Sequence, residues 1–252
     1  MRAIDDPNAN DSDLAKLIAR DAGTAASVLR LANSVSLRGT KSESINDAIL
    51  RIGRGEVYKI VSNGLVREWL SAPASADGWD PTETYNHSCA VAIAAEILAK
   101  DIGIDQQIAY TAGLLHAIGK LGMAHSCGQH FGMVRKLQSE SSKSWRELES
   151  DVFGFDHTEV GAALLREWLF HPSLVQVVEF YPRPRDAWAS KELVLVVHAA
   201  KNIVLSLGLD INDGFQYDLD AELLSEAGYT QEYIDEVVPR IERALKKANL
   251  TD

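Results

Sequence analysis

Apolar residues recur along this chain at intervals of three and four, and no segment shows a convincing alternation of the kind that is typical of a β-strand. Near the N-terminus, for example, Leu14, Leu17 and Ile18 fall on one face of a helix. The same period continues through about ten to twelve segments with short connections between them. The pattern therefore predicts an all-α protein.

Capping residues indicate where the predicted helices begin and end. Ser144 with Glu147, and Asp156 with Glu159, match the capping box that opens a helix. Pro239 falls inside the last predicted helix, where it is expected to produce a kink. The main predicted helices span residues 13–19, 22–33, 45–52, 56–70, 82–102, 105–118, 193–207 and 231–247.

Small residues, proline and glycine are concentrated in the segment SAPASADGWDP at residues 71–81. This composition is typical of a linker, because it neither favours a helix nor supplies a hydrophobic face. The sequence therefore predicts a small N-terminal helical lobe at residues 1–71, a linker at residues 72–81 and a larger helical bundle at residues 82–252. Together the two lobes are expected to form one functional unit.

Composition and charge narrow the classes of function. The 252 residues carry a formal net charge of −11, and a surface of that sign disfavours broad binding to nucleic acids. Cys89 and Cys127 form no CxxC pair, which fits a reducing compartment. The first ten residues are too polar for a signal peptide, and the most apolar stretch, at residues 193–197, is too short to span a bilayer. We therefore expect a cytoplasmic protein that does not bind membranes.

Three histidines are candidates for chemistry, because each comes from a different predicted helix and lies beside apolar residues. They are His87, His116 and His157. Metal sites in helical bundles are built from such residues on facing helices, and imidazole is a good ligand for transition metals. A single histidine beside apolar residues is more often a hydrogen-bonded core residue, however, and no HExxH pair is present. The residues alone leave both interpretations open.

A family resemblance bears on this choice. The segment GLLHAIGKL resembles the signature of the HD superfamily of metal-dependent phosphohydrolases, and other segments resemble its HDOD branch. The resemblance extends from about residue 11 to beyond residue 207, while the helix that usually opens the domain has no evident counterpart before residue 10. It implies an HD-superfamily helical bundle with a small N-terminal helical lobe. The remaining matching segments are LAKLIARDAGTAASVLRLANS, SINDAILRIGRGEVYKIV, HSCAVAIAAEILAK, DHTEVGAALLREWLFHPSLVQVV and VVHAAKNI.

By this resemblance, three positions of the metal centre retain histidine. His87 matches the first ligand histidine of the superfamily, and His116 matches the histidine of the signature His-Asp pair. His157 matches a later histidine of the HD-GYP phosphodiesterase branch. If this chain holds any metal, these three residues would be the ligands.

The other positions of the centre are replaced. Ala117 stands where the signature has its ligand aspartate, and Lys201 stands where the last ligand aspartate would be. Phe180 and Tyr181 fall where the HD-GYP branch has a pair of histidines. An ammonium group about 4 Å from a divalent cation would be repelled by about 8 kcal/mol at an effective dielectric constant near 20. The resemblance therefore implies a degenerate centre without catalysis and without a cofactor.

The remnant centre could still bind a ligand. Lys201 could occupy the place of the lost cation, and Lys120, which follows the signature, would add positive charge. We expect either a pocket for a small phosphate-containing anion, or a packed core in which Phe180, Tyr181 and Trp168 close the space and Lys201 pairs with a carboxylate. The residues expected to line the pocket are His87, His116, Lys120, His157, Phe180, Tyr181 and Lys201.

HDOD-type domains occur in bacterial regulatory systems, so the resemblance implies a signal-transduction domain that acts by binding a ligand or a protein partner in trans. The groove between the two predicted lobes would suit a partner helix. Two alternatives remain at this point. One is a residual metal-dependent phosphohydrolase, similar to a phosphodiesterase, that uses the three histidines. The other is a purely structural scaffold.

Overall fold

Helices account for the regular structure of this protein in a computed structural model. The structure describes residues 11–19, 22–34, 42, 44–71, 81–168, 170–209 and 220–251, and within them there is no β-strand. The predicted all-α class is confirmed. The helices are α1 (Asp11–Ile18), α2 (Ala22–Ser34), α3 (Ile45–Ser71), α4 (Pro81–Asp101), α5 (Gln106–Leu115), α6 (Ile118–Glu140), α7 (Trp145–Phe153), α8 (His157–Glu167), α9 (Pro172–Phe180), α10 (Lys191–Ser206), α11 (Ala221–Glu226) and α12 (Gln231–Lys247), with a 3₁₀ turn at Pro184–Asp186.

Helix α4 is the centre of the main hydrophobic core, and it packs against α5, α10 and α12. Its buried face consists mainly of alanines, which allow neighbouring helices to approach closely. At the crossing with α5, a Cβ added to Gly113 would lie 2.7 Å from the Cα of Ala92, so only glycine fits there. Helices α8 and α9 complete the core on the side of α5.

The first three helices form a separate hydrophobic cluster, which includes Leu14, Val28 and Ile49. Gly53 has a φ of 80° and divides α3 into two segments, as predicted for the glycine that ends the helix at residues 45–52. Residues 72–80 of the predicted linker and residues 1–10, where the family's first helix was not evident, lie outside the described residues. The division into two lobes therefore stays a prediction.

Polar contacts join α3 to the bundle. The Lys59 ammonium lies 2.5 Å from Glu96 Oε1 on α4 and 4.6 Å from the centroid of the Tyr110 ring on α5. One turn later, the Asn63 amide contacts the hydroxyl groups of Tyr85 and Tyr110 at 3.4 Å. These contacts lie at the junction where a groove was expected.

Capping boxes at Ser144 and Asp156 are confirmed, and they open α7 and α8. Helix α6 was not predicted as a separate helix. It contains four glycines, which lower helix propensity, and it is stabilised instead by a third apolar cluster with α7. The predicted helix at residues 105–118 ends earlier, at Leu115. Pro239 lies inside α12, and its predicted kink stays a prediction.

None of the helices in the described segments combines the length and the apolar character that crossing a bilayer requires.

Gly119 allows α6 to cross α8 at close range. A Cβ at this position would lie 1.8 Å from the carbonyl oxygen of His157 and 2.7 Å from the amide nitrogen of Gly161. Both atoms belong to the main chain, so neither can rotate away. The separation of the two helices is therefore set by the absence of a side chain at Gly119.

We expect Gly119→Ala to lower the free energy of unfolding by about 3 kcal/mol, because the helices must separate to admit the methyl group. Gly132→Ala is the matched control in the same helix, since nothing lies within 4 Å of its Cβ position. That control should stabilise the protein by up to about 1 kcal/mol through helix propensity. Urea unfolding followed by circular dichroism measures both, and equal midpoints for the two variants would contradict the crossing described here.

Candidate functional site

The three candidate histidines are buried where several helices meet. His87 lies on α4, His116 follows the last residue of α5, and His157 is the first residue of α8, and none is more than 2% exposed. The rings of His87 and His116 contact each other, with their centroids 5.3 Å apart. His157 reaches this pair through the side chain of Tyr181.

Tyr181 contacts both His116 and His157. Its ring meets His116 edge-on at a centroid distance of 5.0 Å, and its hydroxyl lies 2.9 Å from His157 Nε2. The main chain of Tyr181 is fixed as well, because its carbonyl oxygen lies 2.8 Å from Nδ1 of His198 on α10. Tyr181 therefore fills the centre of the site with a well-anchored side chain.

A buried carboxylate, that of Glu149 on α7, orients His157. Its Oε2 lies 2.5 Å from His157 Nδ1 and 2.9 Å from the His157 amide nitrogen, and its Oε1 accepts the Trp145 Nε1–H at 2.7 Å. Burial opposes ionisation, but the interactions with His157 and the charge of Lys120 hold the pKa of Glu149 below its ordinary value. Glu149 is therefore ionised at neutral pH.

Burial lowers the pKa of His157 against the opposing effect of Glu149. The imidazole is therefore neutral, with its Nδ1–H donated to the carboxylate. Its Nε2 is then an acceptor, and the Tyr181 hydroxyl donates to it. Both ring nitrogens of His157 are thus engaged within the protein.

His87 and His116 are each held by a main-chain carbonyl. Nδ1 of His87 lies 2.7 Å from the carbonyl oxygen of Leu209, and Nδ1 of His116 lies 2.6 Å from that of Gly113. A carbonyl oxygen can only accept, so Nδ1 carries the proton in both rings. The Nε2 atoms consequently present lone pairs.

Two lysines place their ammonium groups over aromatic rings of the site. Lys120 is only 2% exposed, and its Nζ lies 5.4 Å from the centroid of the Trp145 ring. Nζ of Lys201, one turn after His198 on α10, lies 5.2 Å from the centroid of the Tyr181 ring. Such cation–π contacts help to offset the desolvation of the two charges.

The same lysines affect the pKa values of His87 and His116. Burial, together with the charges of Lys201 and Lys120, lowers the pKa of His87 to about 3, although the hydrogen bond with Leu209 opposes this shift. Burial, the neighbouring His87 and the two lysines also hold the pKa of His116 well below its ordinary value. Both imidazoles are therefore neutral at physiological pH.

These residues do not fit the metal centre that the family resemblance implies. Both nitrogens of His157 are engaged by Glu149 and Tyr181, Ala117 has no donor atom, and Lys201 brings a positive charge. Within the described residues, no group of three or more histidine, cysteine, aspartate or glutamate side chains is arranged to hold a metal ion. A cation would have to displace internal hydrogen bonds to gain a third ligand.

The structure brings most of the predicted site residues together. Phe180 and Trp168 are only partly buried and pack against the main core, whereas Tyr181 is buried and contacts His116 and His157. Glu149 was missed. Its signal is the helical spacing from Trp145 and Leu148, which places it on the apolar face of α7. The predicted residues around the centre are His87, His116, Lys120, His157, Tyr181 and Lys201.

The fold and the buried histidine centre define an all-helical, HD-like domain. The chain belongs to the HDOD family, since a family model described as the HDOD domain matches residues 1–184. An uncharacterized protein from Treponema pallidum is a relative of this chain and is 27% identical to it over 185 residues. That match covers 72% of this chain, and this chain spans 35% of the length of that relative.

Solved structures share the fold. An HDOD domain protein of unknown function from Geobacter sulfurreducens is 22% identical, with 94% of this chain and 88% of that chain covered and a TM-score of 0.63. A candidate phosphohydrolase from Shewanella amazonensis is 22% identical over 98% and 87% of the two chains, with a TM-score of 0.70. A candidate signal-transduction protein from Marinobacter aquaeolei is 21% identical over 96% and 55%, with a TM-score of 0.74. At these identities the likeness shows the fold alone.

We expect Glu149→Gln to lower the free energy of unfolding by about 2–4 kcal/mol, because an amide cannot accept all three N–H donors that converge on this carboxylate. Glu140→Gln on the exposed end of α6 is the matched control and should leave stability nearly unchanged. Urea denaturation of both variants measures the difference. If Glu149→Gln unfolds at the same urea concentration as the control, the carboxylate does not organise the site.

Proposed function

We propose that this HDOD domain is a regulatory module that acts by binding and does not catalyse hydrolysis. The observation that supports this most directly is the position of Tyr181. Its hydroxyl engages His157 and its ring covers His116, so the space in which ligands of a metal would converge is filled by a side chain of the protein itself.

The charges of the site support the same conclusion. Metal-assisted hydrolysis requires a bound cation and an activated water molecule. Lys120 and Lys201 instead bring ammonium groups close enough to lower the pKa of His87 and His116. The ionised Glu149 offsets one of these two positive charges, and the remaining positive charge favours an anion over a cation. We therefore propose a small phosphate-containing anion as its ligand.

Access to this site requires movement. His116, Lys120 and Tyr181 are each no more than 2% exposed. An anion can reach Lys120 only if neighbouring side chains shift, and Tyr181 is the side chain that closes the centre. Ligand binding would therefore be coupled to a change at the end of α9, which is the behaviour expected of a regulatory domain.

A signalling protein that binds in trans is the second part of the proposal. Lys59, Asn63 and their partners join α3 to the bundle at the described part of this junction. A partner helix would therefore bind beside these contacts or displace them.

We expect the purified protein to hold no stoichiometric manganese, iron or zinc, and to leave bis(p-nitrophenyl) phosphate intact when these metals are added. The reason is that His157 has no free lone pair and Ala117 supplies no carboxylate. Elemental analysis and a colorimetric assay measure the two properties. Stoichiometric metal together with turnover that His116→Ala abolishes would instead establish the residual phosphohydrolase.

Inorganic phosphate and nucleotides should raise the melting temperature, by about 2–4 °C for each kcal/mol by which the bound ligand increases the free energy of unfolding. Lys201→Met should reduce the shift because it removes one of the two ammonium groups. Lys191→Met, at the exposed start of the same helix, is the control and should keep the shift. A thermal-shift screen tests this, and the absence of stabilisation by every compound would rule out the anion as a ligand.

A further inference from the structure

His87 and His116 have the same arrangement of hydrogen-bond donor and acceptor, with the proton on Nδ1 and the lone pair on Nε2. Each donates its Nδ1–H to a main-chain carbonyl, that of Leu209 at 2.7 Å and that of Gly113 at 2.6 Å. Each Nε2 is therefore an acceptor and cannot donate. For His87, this atom is buried and has no hydrogen-bond partner among the described residues. A buried acceptor of this kind favours a ligand that brings its own proton donor.

The surrounding charges add a second requirement. The ammonium groups of Lys120 and Lys201 lie over the rings of Trp145 and Tyr181, within range to act on both imidazoles. The site therefore attracts negative charge, while the imidazole nitrogens next to it offer only lone pairs. An anion without a proton would direct its own lone pairs against these nitrogens.

We propose that the histidine site, once Tyr181 moves, selects an oxyanion that still carries a hydroxyl group, namely hydrogen phosphate or a phosphate monoester that retains one P–O–H. The charged oxygens face Lys120 and Lys201, and the P–O–H donates to Nε2 of His87 or His116. This inference rests on the proposed anion site and specifies which anions it accepts. Sulfate has the same shape and charge as hydrogen phosphate but has no proton to donate, so it should bind more weakly.

Isothermal titration calorimetry at about pH 6, close to the second pKa of a phosphate monoester, compares four probes. Phosphate and methyl phosphate carry the required hydroxyl group, whereas sulfate and dimethyl phosphate do not. We expect phosphate to bind about tenfold more tightly than sulfate, because its one P–O–H makes one hydrogen bond to an imidazole that sulfate cannot make. If methyl phosphate binds as tightly as inorganic phosphate, the site accepts a phosphate monoester. If methyl phosphate does not bind, the ligand is the free phosphate ion.

Variants distinguish the contribution of the lysine charge from that of the imidazole acceptor. Lys201→Met should weaken phosphate and sulfate alike and leave their ratio unchanged. His87→Gln introduces an amide N–H that can donate, so it should bring the affinities for phosphate and sulfate close to each other. His116→Gln makes the same test if the first variant does not fold. Lys191→Met serves as the control and should retain both affinities.

The outcomes distinguish this inference from the proposed function beneath it. Equal affinities for phosphate and sulfate, both weakened by Lys201→Met, would overturn the selectivity and leave the anion site intact. Binding of neither anion would overturn both. Phosphate binding that is unaffected by Lys201→Met and by either glutamine variant would place the ion elsewhere and would also overturn the inference.

Discussion

The hydrogen-bonded chain from Glu149 through His157 to Tyr181 is the interaction on which the centre of this protein depends. Ionising a fully buried carboxylate is costly, and it becomes acceptable only when several donors surround the group. Glu149 receives three N–H groups, two from His157 and one from Trp145. Because Tyr181 continues the chain through its hydroxyl group and its carbonyl oxygen meets His198, the network connects α7, α8, α9 and α10.

This network changes what the histidines can do. In a metal centre, a group that hydrogen-bonds to one nitrogen of a ligand histidine orients the ring so that its other nitrogen faces the metal. Here Glu149 orients His157 in that manner, but the nitrogen that would face a metal accepts the Tyr181 hydroxyl instead. The positive charge of the centre comes from Lys120 and Lys201. Burial lowers the pKa of His87 and His116, the two lysines lower it further, and both rings stay neutral.

Sequence reasoning identified the histidines, Lys120, Tyr181 and Lys201 because the family resemblance assigns positions to them. It missed Glu149 because that residue stands in the acidic run RELESD, where a charged residue is usually exposed. Only its place on the apolar face beside Leu148 indicates burial. It missed α6 because glycines such as Gly119 lower local helix propensity, while tertiary packing stabilises the helix. The choice between an open pocket and a closed core depends on where the Tyr181 side chain points, which no local pattern encodes.

The closed centre and the proposed ligand compete for the same interactions. An anion near Lys201 must occupy space that the Tyr181 ring now covers, and moving that ring removes the donor to His157 Nε2. Breaking this bond leaves a buried acceptor on His157 and separates α9 from the pair formed by Glu149 and His157. The free energy of ligand binding would therefore be expressed as a change in the packing of α9 against α8. An anion site of this design links occupancy to the arrangement of helices, and it does so without a chemical step.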